Sequence, residues 1–233
     1  MVDLPRLRLS EGAIYPITHR GFTGFPHEEQ VRRLLRAGAK LIQVREKEPK
    51  PDFPWDLRRC AELCREAGAS LIVNDDPEAA LAAGAAGVHL GQEDASPGEV
   101  RRRVGDLLLI GLSTHNTEQL RRALSEPVDY IAVGPVFGTT TKENPDPATG
   151  MHLVREAADL VPRTGKRLVV IGGITPRNLP DLLQAAPMAI PAVIGGIMKA
   201  PDIGLAYQTM QRVMEDALHG QRPRRSAPQT FLT

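Results

Sequence analysis

Eight short β-branched runs alternate with eight amphipathic stretches along this chain, and few folds accept that order. The runs span 13–18, 40–46, 70–75, 87–91, 108–114, 130–136, 167–173 and 190–196. The stretches with helical spacing span 27–38, 55–68, 77–84, 96–105, 116–126, 150–161, 175–186 and 201–218. Alternation of this kind predicts parallel strands joined by crossover helices. The strand runs are almost continuously apolar, as strands covered on both faces are. Eight such units within 233 residues predict an α/β fold, a single-domain (β/α)8 TIM barrel. An open doubly wound sheet usually has fewer strands for this length. Pro180 and Pro191 are expected to weaken their elements, because each removes an N–H. The expected organisation is an N-terminal extension at 1–12, a barrel at 13–218 and a disordered, basic, Pro-containing tail at 219–233.

Composition removes several function classes. A formal net charge of +1 gives no bulk attraction to nucleic acid or to an acidic membrane surface. No apolar run approaches the roughly 18 residues of a membrane span. The N-terminus lacks the apolar stretch of a signal peptide. A cytoplasmic location is therefore expected, with no nucleic-acid or membrane partner. Cys60 and Cys64 have no further Cys or His nearby in sequence and read as small apolar residues on one helix face.

Barrel active sites lie at the C-terminal strand ends, and the polar residues of this chain gather there. QVREK places Gln43, Arg45 and Lys47 on one face of extended chain. Strand 3 ends in Asn74 and Asp75, strand 4 leads to Asp94, and strand 5 ends at Ser113, Thr114 and His115. Strand 6 leads to Thr139, Thr140, Thr141 and Lys142, and strands 7 and 8 end in Gly172–Gly173 and Gly195–Gly196. Two carboxylates from neighbouring strands suit Mg2+, which takes one or two and leaves room for phosphate oxygens. Arg45, Lys47 and Lys142 suit a polyanion such as pyrophosphate. Glycine pairs after strands 7 and 8 suit a second phosphate held by backbone N–H groups. Each feature also has a bland reading. Asp76 before Pro77 is a helix N-cap, glycine pairs are often turns, and His89 reads as a structural histidine. Asn116 reads as an N-cap, and the arginines at 101–103 as a solvated helix face. The recurrence of polar residues at one barrel end favours a site.

These residues carry a resemblance to the thiamine-phosphate synthase family. It runs from about Tyr15 to Asp202 through QVREK (43–47), VND (73–75), GVHLGQED (87–94), GLSTH (111–115), DYIAVGPVFGTTTK (129–142) and VIGGI (170–174). The resemblance implies joining of a hydroxymethylpyrimidine diphosphate to a thiazole phosphate, plain or carboxylated, with release of pyrophosphate. It implies that Gln43, Val44, Arg45, Glu46, Lys47, Asn74, Ser113 and Lys142 hold the pyrimidine diphosphate. Arg45, Lys47, Ser113 and Lys142 would carry the catalysis. It also implies Mg2+ as cofactor on Asp75 and Asp94, and a thiazole-phosphate site at Thr139, Thr140, Thr141, Gly173, Ile194 and Gly195. Phosphorylated small molecules would be the partners, and the sequence leaves homo-oligomerisation open.

The chain departs from the family pattern at strand 8, where a serine is usual and Gly195 stands. Two rival readings follow. The sister thiazole tautomerase places a catalytic histidine where this chain has Pro135. A non-catalytic binder of thiamine precursors, regulating a partner, is compatible with the altered strand 8.

Overall fold

The computed structural model describes residues 12–48, 50–138 and 149–220. Eight parallel strands form its sheet: β1 (Tyr15–Pro16), β2 (Leu41–Val44), β3 (Ser70–Asn74), β4 (Gly87–Leu90), β5 (Leu109–Thr114), β6 (Tyr130–Val133), β7 (Arg167–Ile171) and β8 (Ile190–Val193). Each pairs with its neighbour in sequence, and β1 pairs with β8. The ring closes between β1 and β2 through a single bridge, Ile17 to Gln43, with the Thr18 N–H donating to the Gln43 carbonyl at 2.9 Å. The fold is thus the expected barrel. Its first strand is shorter than the 13–18 run, and Pro16 within it has no N–H to give a ladder.

The helices are α1 (Arg20–Thr23), α2 (His27–Arg36), α3 (Phe53–Glu66), α4 (Pro77–Ala83), α5 (Pro97–Val104), α6 (Thr117–Ala123), α7 (Gly150–Leu160), α8 (Leu179–Ala185), α9 (Gly195–Met198) and α10 (Ile203–Gly220). Local chemistry starts several of them. The Asp76 carboxylate accepts from Ala79 N–H at 2.8 Å, and Asn116 caps α6 through Gln119 N–H at 2.9 Å. Ser96 and Glu99 form a reciprocal capping box on α5. Pro180 does not interrupt its helix. The helix begins at Leu179 rather than 175, so Pro180 sits in the first turn, where its missing N–H is not needed. The Gly195–Gly196 pair opens α9 instead of extending β8. Arg101 is not on a solvated face: it binds the Gly105 carbonyl at 2.6 Å and Asp129 at 2.6 Å. The last helix continues to Gly220; residues 221–233 of the expected tail lie outside the described residues. No described helix is long and apolar enough to cross a membrane.

Two apolar layers follow from the alternation of side chains across strands. Val44, Val73, Val88, Ile131 and Val170 pack outward against the helices, with Cys60 and Cys64 of α3 buried among them. Burial pushes the Cys64 thiol up to about 12 and raises Cys60 as well, so both stay protonated and inert. Tyr15, Leu41, Ile72, Tyr130, Val169 and Ile190 fill the interior. Gly111 admits the Tyr130 ring, because a Cβ there would lie 2.0 Å from its Cζ.

Candidate active site

The inward positions become polar toward the C-terminal strand ends, and a cavity of about 990 Å³ opens there. Gln43, Arg45 and Lys47 line one wall; Asn74, Asp75 and Asp94 adjoin them, with Ser113 next in order around the ring. The opposite wall carries Gly172, Gly173, Ile194, Gly195 and Gly196. The structure thus brings together most of the residues singled out from sequence. Thr139, Thr140, Thr141 and Lys142 lie outside the described residues.

The end of β3 explains the polar turn after its apolar run. Asp75 takes a left-handed backbone with φ of 66°, which aspartate tolerates better than most residues. This turn sends Asp75 to the cavity and leaves Asp76 to cap α4. Lys47 pairs with Asp75 through its Nζ. Asp94 accepts from Gly91 N–H at 2.6 Å and lines the cavity together with Asp75. Burial raises the Asp94 carboxyl, and the neighbouring Asp75 charge raises it further. Lys47 offsets one of the two negative charges, and a further cation or a proton would offset the other. The Nδ2 of Asn74 is buried with no hydrogen-bond partner among the described residues. That donor calls for an acceptor from a ligand. Arg45 is held below its ordinary value chiefly by burial, against the opposing pull of Asp75 and Glu46.

Two residues of the 43–47 segment do not reach the cavity. Val44 is buried in the outer apolar layer, facing the helices. Glu46 faces away as well and enters a buried ionic cluster. Its carboxylate lies 3.3 Å from His27 Nε2 and 3.8 Å from Arg20 Nε, and accepts from Glu48 N–H at 3.3 Å. Arg20 also donates to Asp56 at 2.8 Å. Asp56 in turn accepts the backbone N–H groups of His27 (3.0 Å) and Glu28 (2.7 Å). A carboxylate from α3 thereby caps α2, whose own N-cap is Pro26 and has no capping side chain. Glu46 therefore anchors, from behind, the loop that presents Arg45 and Lys47. Within the 43–47 segment, the side chains that line the cavity are those of Gln43, Arg45 and Lys47.

Further lining residues are His89, read from sequence as structural, His115, placed at the end of strand 5, and Lys199, which the sequence reading missed. His89 reaches the cavity, with Ser113 Oγ at 2.9 Å from Nε2 and Tyr130 Oη at 3.0 Å from Nδ1. Its inward position on β4 was the available signal. His115 lines the cavity while its Nδ1 donates to the Gly134 carbonyl at 2.5 Å. Lys199, just past α9, joins the strand 8 side and lies 4.5 Å over the Phe22 ring.

Comparison with known proteins shows what the chain is similar to. The family description that matches is thiamine monophosphate synthase, over residues 14–197. The chain is 36% identical over 207 residues to the thiamine-phosphate synthase of Caldicellulosiruptor saccharolyticus, covering 87% of this chain and 91% of that one. It is 37% identical over 208 residues to that of Pelotomaculum thermopropionicum, covering 88% and 94%. Among solved structures, a thiamine phosphate pyrophosphorylase from Pyrococcus furiosus superposes with a TM-score of 0.78 at 30% identity, covering 89% of this chain and 98% of that one.

Proposed function

This chain belongs to the thiamine monophosphate synthase family, and from that premise we propose how its cavity makes thiamine phosphate with Mg2+ as cofactor. The reaction transfers a pyrimidinylmethyl group from a hydroxymethylpyrimidine diphosphate to the nitrogen of a thiazole phosphate, releasing pyrophosphate. The observation that carries the reading is the unpartnered, buried Asn74 amide beside the Asp75–Asp94 pair, on the wall that holds Arg45 and Lys47. A diphosphate meets that combination of donors, cations and carboxylates.

The chemistry asks little of a base. The bond from the methylene carbon to the diphosphate oxygen breaks, the electron-rich aminopyrimidine carries the cation, and the thiazole nitrogen closes the new C–N bond. What the protein must supply is charge for the leaving group and alignment for the nucleophile. Arg45 and Lys47 face the leaving pyrophosphate as cations, Asn74 donates its amide, and Ser113 donates its hydroxyl. The residues present fit Mg2+. Among the described residues no three metal-type side chains form a cage, and Mg2+ asks for one or two carboxylates, with phosphate oxygens completing its shell. Asp75 and Asp94 would hold it, and when bound it supplies positive charge against the leaving group. The thiazole phosphate belongs on the opposite wall, at Gly173, Ile194 and Gly195.

The tautomerase reading has no support in the cavity, where Pro135 occupies the position of that family's histidine. The deciding experiment is pyrophosphate release by the purified protein, with each substrate omitted in turn and with Mg2+ removed by chelator. Release that requires both substrates and the ion is expected. Binding of either substrate without release would support the regulatory reading instead.

Gly195 gives a second expectation. It occupies α9, a helical backbone that serine adopts without strain. Gly195→Ser adds a hydroxyl donor, and one hydrogen bond to a charged group is worth roughly 1.5 kcal/mol. The KM for the thiazole phosphate is expected to fall about tenfold, with the KM for the diphosphate unchanged. An unchanged thiazole KM would mean that backbone groups alone make this contact.

A further inference from the structure

A line of hydrogen bonds crosses the barrel interior from β2 to β5. Gln43 Nε2 lies 2.9 Å from Tyr15 Oη. Tyr15 Oη lies 3.3 Å from Tyr130 Oη, Tyr130 Oη lies 3.0 Å from His89 Nδ1, and His89 Nε2 lies 2.9 Å from Ser113 Oγ. Tyr15 and Tyr130 are 1% exposed, so bulk water does not reach the middle of this line.

The direction of the line follows from its first member. An amide NH2 only donates, so Tyr15 Oη accepts from Gln43. The Tyr15 proton then has Tyr130 Oη as its available acceptor. Tyr130, having accepted, gives its own proton to His89 Nδ1. His89 is thereby protonated on Nε2, which donates to Ser113 Oγ. The Ser113 oxygen is occupied from within the barrel, and its proton points to the cavity. The reverse order would send the Ser113 proton to His89 and leave the Tyr15 hydroxyl stranded in an apolar core, at a cost of about 1–3 kcal/mol. Burial raises the titration of both tyrosines, so their protons stay in place at neutral pH.

We infer that Tyr15, Tyr130 and His89 are positioning residues that act through this one-way chain to hold Ser113 as a hydrogen-bond donor facing the diphosphate. The inference rests on the placement of the diphosphate proposed above and adds the means by which Ser113 is oriented. It also gives a reason for Gly111, which makes room for the Tyr130 ring.

Two measurements test it, and one of them needs no activity. The 15N NMR signals of the His89 ring report its tautomer. Protonation of Nε2 alone is expected, and a protonated Nδ1 overturns the inference. The kinetic test uses Tyr130→Phe and Tyr15→Phe, which keep each ring and remove one link. Each is expected to lower kcat about tenfold while leaving the KM for the thiazole phosphate unchanged. Neither is expected to lower kcat further in a Ser113→Ala background. Full kcat in either folded variant, or multiplicative losses with Ser113→Ala, overturns the inference. Thermal melting checks folding, and if one variant unfolds, the other carries the comparison. A Ser113→Ala enzyme with full activity removes Ser113 from the diphosphate site, whereas the tautomer measurement still decides the chain itself.

Discussion

Asp75→Asn and Asp94→Asn are each expected to lower turnover by at least about a hundredfold, the scale seen when one element of transition-state charge stabilisation is removed. Both substitutions spare the fold. Asparagine accepts the left-handed backbone of residue 75, where φ is 66°, as readily as aspartate does. At 94 the amide oxygen still accepts from Gly91 N–H, now 2.6 Å from Oδ2. What each variant loses is one of the two negative charges placed together at the cavity wall. On the proposed Mg2+ site, one charge fewer is expected to weaken binding of the ion, so that a higher concentration is needed to reach the residual rate. Lys47 loses its ion-pair partner in the Asp75 variant alone. The two variants are therefore expected to share the shift in Mg2+ dependence, while only Asp75→Asn also alters the KM for the diphosphate. Pyrophosphate release measured across a series of Mg2+ concentrations checks this. Wild-type rates with an unchanged metal response in both variants would sink the metal assignment.

The barrel was legible because its signal is periodic and repeats. Alternation of eight apolar runs with eight amphipathic stretches survives errors at single boundaries, and parallel order follows from the crossovers alone. The candidate site was legible for a related reason. Polar residues recur where strands end, and pleating assigns every second one to the interior. That rule places Gln43, Arg45 and Lys47 in the cavity and turns Val44 and Glu46 away from it, as the structure shows.

What stayed illegible depends on residues distant in sequence. Helix α1 is four residues long and shows no period. The partners of Asp56 are Arg20, His27 and Glu28, across 28 to 36 positions, and no local spacing announces them. The chain from Gln43 to Ser113 joins four strands besides β2 and is visible only once the barrel has closed.

Asp56→Ala is expected to destabilise the protein by about 3–5 kcal/mol, the cost of breaking a buried ion pair from one side. Asp56 is 2% exposed. Its loss leaves the Arg20 guanidinium without its shortest ionic partner and the first N–H groups of α2 without an acceptor. Asp56→Asn keeps one acceptor oxygen without the charge and should fall between wild type and alanine. The same cluster sets a pH limit. Burial lowers His27 below its usual 6.5, so the folded protein holds it neutral while the unfolded chain protonates it. Between the lowered value and 6.5 the unfolded state binds more protons, so stability rises with pH through that window. It is fully present above the unfolded value and is lost as pH falls below it. Burial also lowers His19, which adds in the same direction. Urea titrations from pH 5 to 8 are expected to show the midpoint dropping on the acid side. His27→Gln, which cannot take up the proton, should flatten the part of that drop due to His27. A midpoint in His27→Gln that falls with acid as steeply as in wild type would remove His27 from the cause, and an Asp56→Ala protein as stable as wild type would show that Arg20 and α2 find other partners.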